Sequence, residues 1–183
     1  MKGMVIRGSA GCALFVLLFG CSSANKPTSE NFIKALNAYY LDHDDCLFPQ
    51  GERFPYEIAL GANSTQDEKQ MDALTDAGLL TRVKDLTIHV ERYSLNAPGK
   101  RFAPRFCYGH REVKGIVSFT PPAPRHGFTE TTVTYQYMMR DVPVWAKSDA
   151  LMAAFPELGK SLSASPSGQA TLATVGAGWH VPE

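Results

Sequence analysis

Cysteine is scarce in this chain, with four in 183 residues. That excludes the disulfide-dense scaffolds on which very small secreted domains depend. An excess of charge of either sign is also missing, because 18 Lys and Arg balance 18 Asp and Glu. No basic surplus is left to hold a nucleic acid, so none is expected as a partner. No HExxH zinc helix, CxxC pair or phosphate-binding glycine loop occurs, so the motifs of metal hydrolysis, thiol redox and nucleotide chemistry are absent. Gly8-Ser9-Ala10-Gly11 comes nearest to a serine nucleophile turn and lacks its spacing. Apart from one short run near the start, no stretch approaches the ~20 apolar residues that a membrane-crossing helix needs.

That run is informative. Met1 to Arg7 carries Lys2 and Arg7 and no acid, and Ala13 to Phe19 is wholly apolar. A positive start, a short apolar stretch and a small residue before the cut are the three parts of a secretory leader. Leu18-Phe19-Gly20-Cys21 resembles the lipobox of bacterial lipoproteins, with leucine three residues before the lipidated cysteine and a small residue just before it. Phe19 departs from the small or hydroxyl residue usual in that family. The resemblance implies removal of residues 1–20, a diacylglyceryl thioether on Cys21 and an acyl chain (palmitate or similar) on its amine. Two or more chains anchor stably where one binds reversibly. Ser22 resembles the pattern sent on to the outer membrane.

Cleavage before Cys21 leaves 163 of the 183 residues, which fits one domain. Losing Lys2 and Arg7 turns 18 basic against 18 acidic into 16 against 18, so the mature chain is slightly acidic. Residues 21–29 read as a polar tether and 30–183 as a single α+β domain. Besides Cys21, only Cys46 and Cys107 remain, and an even pair in an exported protein is expected as a disulfide.

The local patterns set the fold class. Thr28 or Ser29 is expected to cap a helix ending near Asp42, with Phe32, Leu36 and Tyr39 or Tyr40 facing the core. Thr65-Gln66-Asp67-Glu68 is a capping box, and Met71, Leu74 and Ala77 form the narrow apolar face of a second helix that Gly78 stops. Arg53 to Leu60 reads as irregular or extended. Leu86, Ile88, Val90 and on to Leu95 alternate as one strand. Arg105 to Tyr108 and Glu112 to Thr120 are further strand candidates, separated from the next by a stiff loop at 121–127. Thr129 to Arg140 is the clearest strand, with Thr131, Val133, Tyr135, Tyr137 and Met139 on one face and Thr132, Thr134 and Gln136 on the wetter one. Ser148 or Asp149 caps a short helix that Pro156 interrupts, and Ala170 to Val175 and Trp179 to Val181 close the chain as strands. The expected fold is α+β, with N-terminal helices packed on a mostly antiparallel sheet.

Four groups of residues could carry function. His43, Cys46, Cys107 and His110 would form the site if the protein were a periplasm-facing enzyme or metal protein. Asp42-His43-Asp44-Asp45-Cys46 is dense in ligand types but lacks the spacing of a calcium loop. A bridged cysteine cannot act as a nucleophile, so no catalytic residue, metal ligand or cofactor is assigned. Lys100, Arg101, Arg105, Arg111 and Lys114, interleaved with Phe102, Phe106 and Tyr108, suggest a patch for headgroups, an anionic glycan or an envelope protein. Tyr135, Tyr137, Trp145 and Trp179 could line a groove, although aromatics at strand spacing are usually core. Met71 to Val83 resembles the end of a winged-helix recognition helix leading into its wing; charge and compartment argue against DNA as its target.

Phe106-Cys107-Tyr108-Gly109 and Asp141 to Ala146 are similar to stretches of small uncharacterised bacterial envelope lipoproteins. This resemblance implies no activity. The sequence therefore reads as a lipid-anchored envelope protein of non-enzymatic, binding or structural role.

Overall fold

The structure, a computed structural model, describes residues 23–61, 65–174, 176 and 178–182. The leader, Cys21 and the start of the expected tether lie outside the described residues.

Capping and periodicity place the helices. Helix α1, Ser29–Leu41, starts where the Thr28 hydroxyl accepts from the Asn31 amide, and it buries Phe32, Leu36 and Tyr40 at four-residue spacing. Helix α2, Gln66–Asp76, starts where the Thr65 hydroxyl accepts from the Glu68 amide, and it buries Met71, Ala73 and Leu74. Gly78 follows with φ +72°, the left-handed conformation that ends a helix most readily at glycine. Helix α3, Asp149–Ala154, is capped by Ser148. Pro156 does not merely interrupt it: Pro156 occupies the first turn of a separate helix α4, Pro156–Ser161, where a missing N–H costs nothing.

Two antiparallel sheets complete the α+β fold. The smaller has the order β1-β3-β2, with β1 Tyr56–Ala59, β2 Leu80–Asp85 and β3 Val90–Leu95. The larger has the order β4-β6-β7-β8, with β4 His110–Phe119, β6 Phe128–Arg140, β7 Ser167–Thr174 and β8 Trp179–His180. A three-residue strand β5, Ala123–Arg125, pairs with the start of β6.

Three expectations need correction. The single strand over Leu86 to Leu95 is instead a hairpin, with β2 and β3 joined at 86–89. The Asp85 carboxylate accepts from the Thr87 amide, and His89 has φ +55°. That local turn overrides the alternation and leaves Leu86 and Ile88 exposed. Arg105 to Tyr108 forms turns with one isolated bridge, Cys46 to Cys107, and no strand. The stiff loop at 121–127 contains β5, whose register pairs Arg125 with Phe128 across a tight turn at Gly127.

Two buried clusters form the interior. One gathers Phe32, Leu36 and Tyr40 with Val113, Val133, Tyr135, Tyr137, Leu172 and Trp179. The other gathers Met71, Leu74, Leu79, Tyr93, Phe106, Leu151 and Leu158 with their neighbours. Met139 packs against both. Strand β6 has the two-faced character read from its alternation: Thr131, Val133, Tyr135 and Tyr137 are buried, and Gln136 is exposed.

The described part of the expected tether is fastened to the fold. The Asn25 side chain donates to the Gly176 carbonyl at 3.2 Å, and the Trp179 indole donates to the Lys26 carbonyl at 3.2 Å. Among the described residues, no helix is long and apolar enough to cross a membrane.

Candidate functional site

Cys46 and Cys107 are joined by a disulfide across a sequence separation of 61 residues. On either side of the bridge the two segments exchange backbone hydrogen bonds. The Asp45 amide donates to Gly109, the Tyr108 amide to Asp45, and the Leu47 amide to Phe106. This clasp sets the Asp45 carboxylate opposite the first residues of β4.

Arg111, the second residue of β4, meets it there. The guanidinium donates from Nε to one Asp45 oxygen at 2.7 Å and from Nη2 to the other at 3.1 Å. Such two-point pairing is stronger and more directional than a single contact. The same guanidinium lies over the rings of Tyr40 and Tyr137, 5.4 and 4.9 Å from their centroids, and Nη1 donates to the Tyr135 hydroxyl at 3.4 Å. The hydroxyls of Tyr40 and Tyr135 are bonded to each other, and the Tyr137 hydroxyl donates to Ser161 at 3.3 Å.

The electrostatics are balanced within this cluster. Burial works against the charge of Arg111, but Asp45 with Tyr135 and Tyr137 outweighs it and holds the guanidinium pKa above its ordinary value. Burial, then the Tyr135 hydroxyl, pushes the Tyr40 phenol upward, and burial does the same to Tyr108. These shifts keep the Tyr40 and Tyr108 phenols neutral and the Arg111 guanidinium charged at neutral pH. The cluster ties α1, β6 and the disulfide-linked segment together and presents hydrogen-bond donors.

Three shallow grooves open around it. One of about 630 Å³ is lined by Arg111, Tyr137, Lys160, Ser161, Ser163 and Ser165, among others. A second of about 600 Å³ shares Tyr137, Ser161 and Ser163 and adds Met139, Val142 and Met152. A third of about 510 Å³ includes Asn37, Leu41, His110, Glu112 and Arg140.

The two histidines have partners of their own. His43 stacks on Tyr39 with ring centroids 3.8 Å apart and bonds the Tyr39 carbonyl, while His110 faces Asp141 at 3.4 Å. Among the described residues, no three His, Cys, Asp or Glu side chains gather to hold a metal ion. Of the basic stretch, Lys100, Arg101 and Arg105 are exposed. Arg111 turns inward to Asp45, and Lys114 pairs with Glu112, which Arg140 also bonds. The five cations thus divide among separate roles. Tyr135, Tyr137 and Trp179 are core, and the indole N–H of Trp145 is buried without a hydrogen-bond partner among the described residues.

Helix α2, whose second half opens the winged-helix-like segment Met71 to Val83, is acidic. Asp67, Glu68, Asp72 and Asp76 lie on α2 against Lys69. Asp72 is already engaged by Arg82 at 2.7 Å and by the Tyr93 hydroxyl at 2.8 Å. Such a helix repels phosphate.

The Asp45–Arg111 pair was not singled out from the sequence, although a signal for it exists. If Cys46 meets Cys107, antiparallel pairing brings Asp45 beside 108–111, where Arg111 is a cation within reach. No family model matches the chain, and no curated protein or solved structure is significantly similar to it.

Proposed function

We propose that this is a lipid-anchored envelope protein of non-enzymatic, binding or structural role, held to the outer membrane through lipid on Cys21. The Cys46–Cys107 disulfide carries the reading. Disulfides persist in oxidising compartments and are rare in the cytosol, which agrees with the secretory leader and the lipobox resemblance. The partner is an envelope protein or glycan received over the Arg111 cluster, where exposed serine hydroxyls and Lys160 surround a charge-balanced base. In this reading the helices form a layer packed on the sheet, supported by the cluster that Phe32, Leu36 and Tyr40 share with Val133 and Leu172.

Intact mass of protein purified from membranes, with and without reduction, beside a Cys21→Ala variant, tests the reading. A chain starting at acylated Cys21, and heavier by two hydrogens after reduction, supports it. An unlipidated mass that Cys21→Ala leaves unchanged overturns it. Two free thiols would favour instead an enzyme or metal site using His43, Cys46, Cys107 and His110.

A further inference from the structure

We propose that one end of the larger sheet, bearing Phe119 and Phe128, rests directly on the lipid surface that holds the anchor. The inference depends on lipidation at Cys21. Its first support is the length of chain available. Asn25 is fastened to Gly176, and Lys26 is held by the Trp179 indole and by the Asn31 side chain at 2.9 Å. From Cys21 to Asn25 is four residues, which reach at most about 14 Å when fully extended. The fastened end of the domain cannot stand away from the headgroups.

The second support is what surrounds the fastening point. Gly176 lies just beyond Thr174, which pairs with Thr129, the neighbour of Phe128. Phe128 pairs in turn with Arg125 on β5. The Trp179 ring meets Phe32 at 5.1 Å, and Phe32 meets Phe119 at 5.0 Å, beside the first turn of α1. Phe128 is 46% exposed and Phe119 40% exposed, although both belong to a residue type that normally hides. Phe119 pairs with Val133 and shares its core-side face, whereas Phe128 lies on the opposite face nearer the start of β6 with Arg125 paired to it, so the sheet carries an exposed aromatic ring on each face toward this end, as surfaces that settle into the headgroup layer do. Glu30 lies at the same end, and Glu130 faces His126 at 3.3 Å. The end is therefore close to neutral, and the aromatics rather than net charge make the contact. The grooves around Arg111 lie toward the opposite end of β6, since Arg111 pairs with Met139 and Phe128 begins the strand. The surface offered to a partner then points away from the bilayer.

A second exposed apolar end provides the competing orientation. Leu86 and Ile88, 72% and 54% exposed, form the tip of the β2–β3 hairpin. Phe128→Trp and Leu86→Trp variants, purified as lipidated protein and reconstituted into phosphatidylethanolamine–phosphatidylglycerol vesicles with brominated acyl chains, separate the two. Bromine quenches indole emission only in close contact. We expect Phe128→Trp to lose at least half of its added emission and Leu86→Trp to lose little, with no change on raising salt. Quenching at Leu86→Trp instead, or at neither site in acylated protein, overturns the orientation and leaves the anchor standing. An intact mass without acyl chains overturns the anchor and this inference with it.

Discussion

The hydroxyls of Tyr40 on α1 and Tyr135 on β6 are bonded to each other, although 95 residues separate them in sequence. Arg111 sits over the Tyr40 ring and donates to the Tyr135 hydroxyl, so helix, strand and clasp meet at a single guanidinium. The polar cluster is thus part of the interior, and its residues Arg111 and Tyr137 form part of the groove walls.

Removing one partner of the Asp45–Arg111 pair should be expensive. The two side chains are 25% and 20% exposed, so solvent reaches the remaining charge poorly. Arg111→Met should lower unfolding free energy by about 3 kcal/mol, the usual result of stranding a largely buried charge. Combining it with Asp45→Leu should recover most of that loss. Urea denaturation of the single and double variants measures both, and a double variant as weak as the single would mean that the aromatic contacts dominate.

The disulfide closes a loop of about sixty residues. In the chain-entropy description, such a crosslink stabilises by about 4 kcal/mol. Cys46→Ala combined with Cys107→Ala should show that loss in chemical denaturation. A reductant should shift the midpoint of the wild type by a similar amount and leave the double variant unchanged.

Glu112 makes a specific prediction for acid. Hydrogen bonds from Arg140 and then Lys114 hold its carboxyl down at about 2, from an ordinary value of 4.5. A depressed carboxyl stabilises the fold fully above its unfolded pKa, and the contribution disappears as pH falls toward the folded one. The stability difference between wild type and Glu112→Gln should therefore be constant above about pH 4.5 and shrink toward pH 2. Denaturation midpoints across that window test it, and a difference that grows as pH falls would refute the assignment.

Gly109 is required by its surroundings. Its φ is +113°, and an added Cβ would sit 2.0 Å from the Arg140 carbonyl oxygen, a backbone atom that cannot swing aside. Gly109→Ala should cost more than about 2 kcal/mol, lowering Tm by several degrees in a chain of this size. Gly115 faces open space without a positive φ, so Gly115→Ala should stay within about 0.5 kcal/mol of wild type. Thermal melts of both variants decide the contrast.

Several features were legible in the sequence because their causes are local. Thr28 and Thr65 cap helices through contacts three residues away, and Phe32, Leu36, Met71 and Leu74 report a helical period within one segment. The alternation along β6 likewise needs no partner to be read. The same local method failed at Leu86 and Ile88, where alternation continued through residues that a side chain to backbone bond from Asp85 turns into a hairpin. Pro156 was ambiguous for a similar reason: a proline breaks one helix and begins another equally well.

The sequence by itself determined the two capped helices, the two-faced strand at 128–140 and the pairing expected of Cys46 with Cys107. Each rests on interactions spanning a few residues or on composition. Only the tertiary structure decided that the strands divide into two sheets, that Asn25 and Lys26 are bound to Gly176 and Trp179, and that Arg111 leaves the basic stretch to join Asp45. Those outcomes depend on which distant segments meet, and on whether a cation finds a carboxylate and two aromatic rings when it arrives. Spacing along a chain records local geometry; it does not record which of several cations will be the one enclosed.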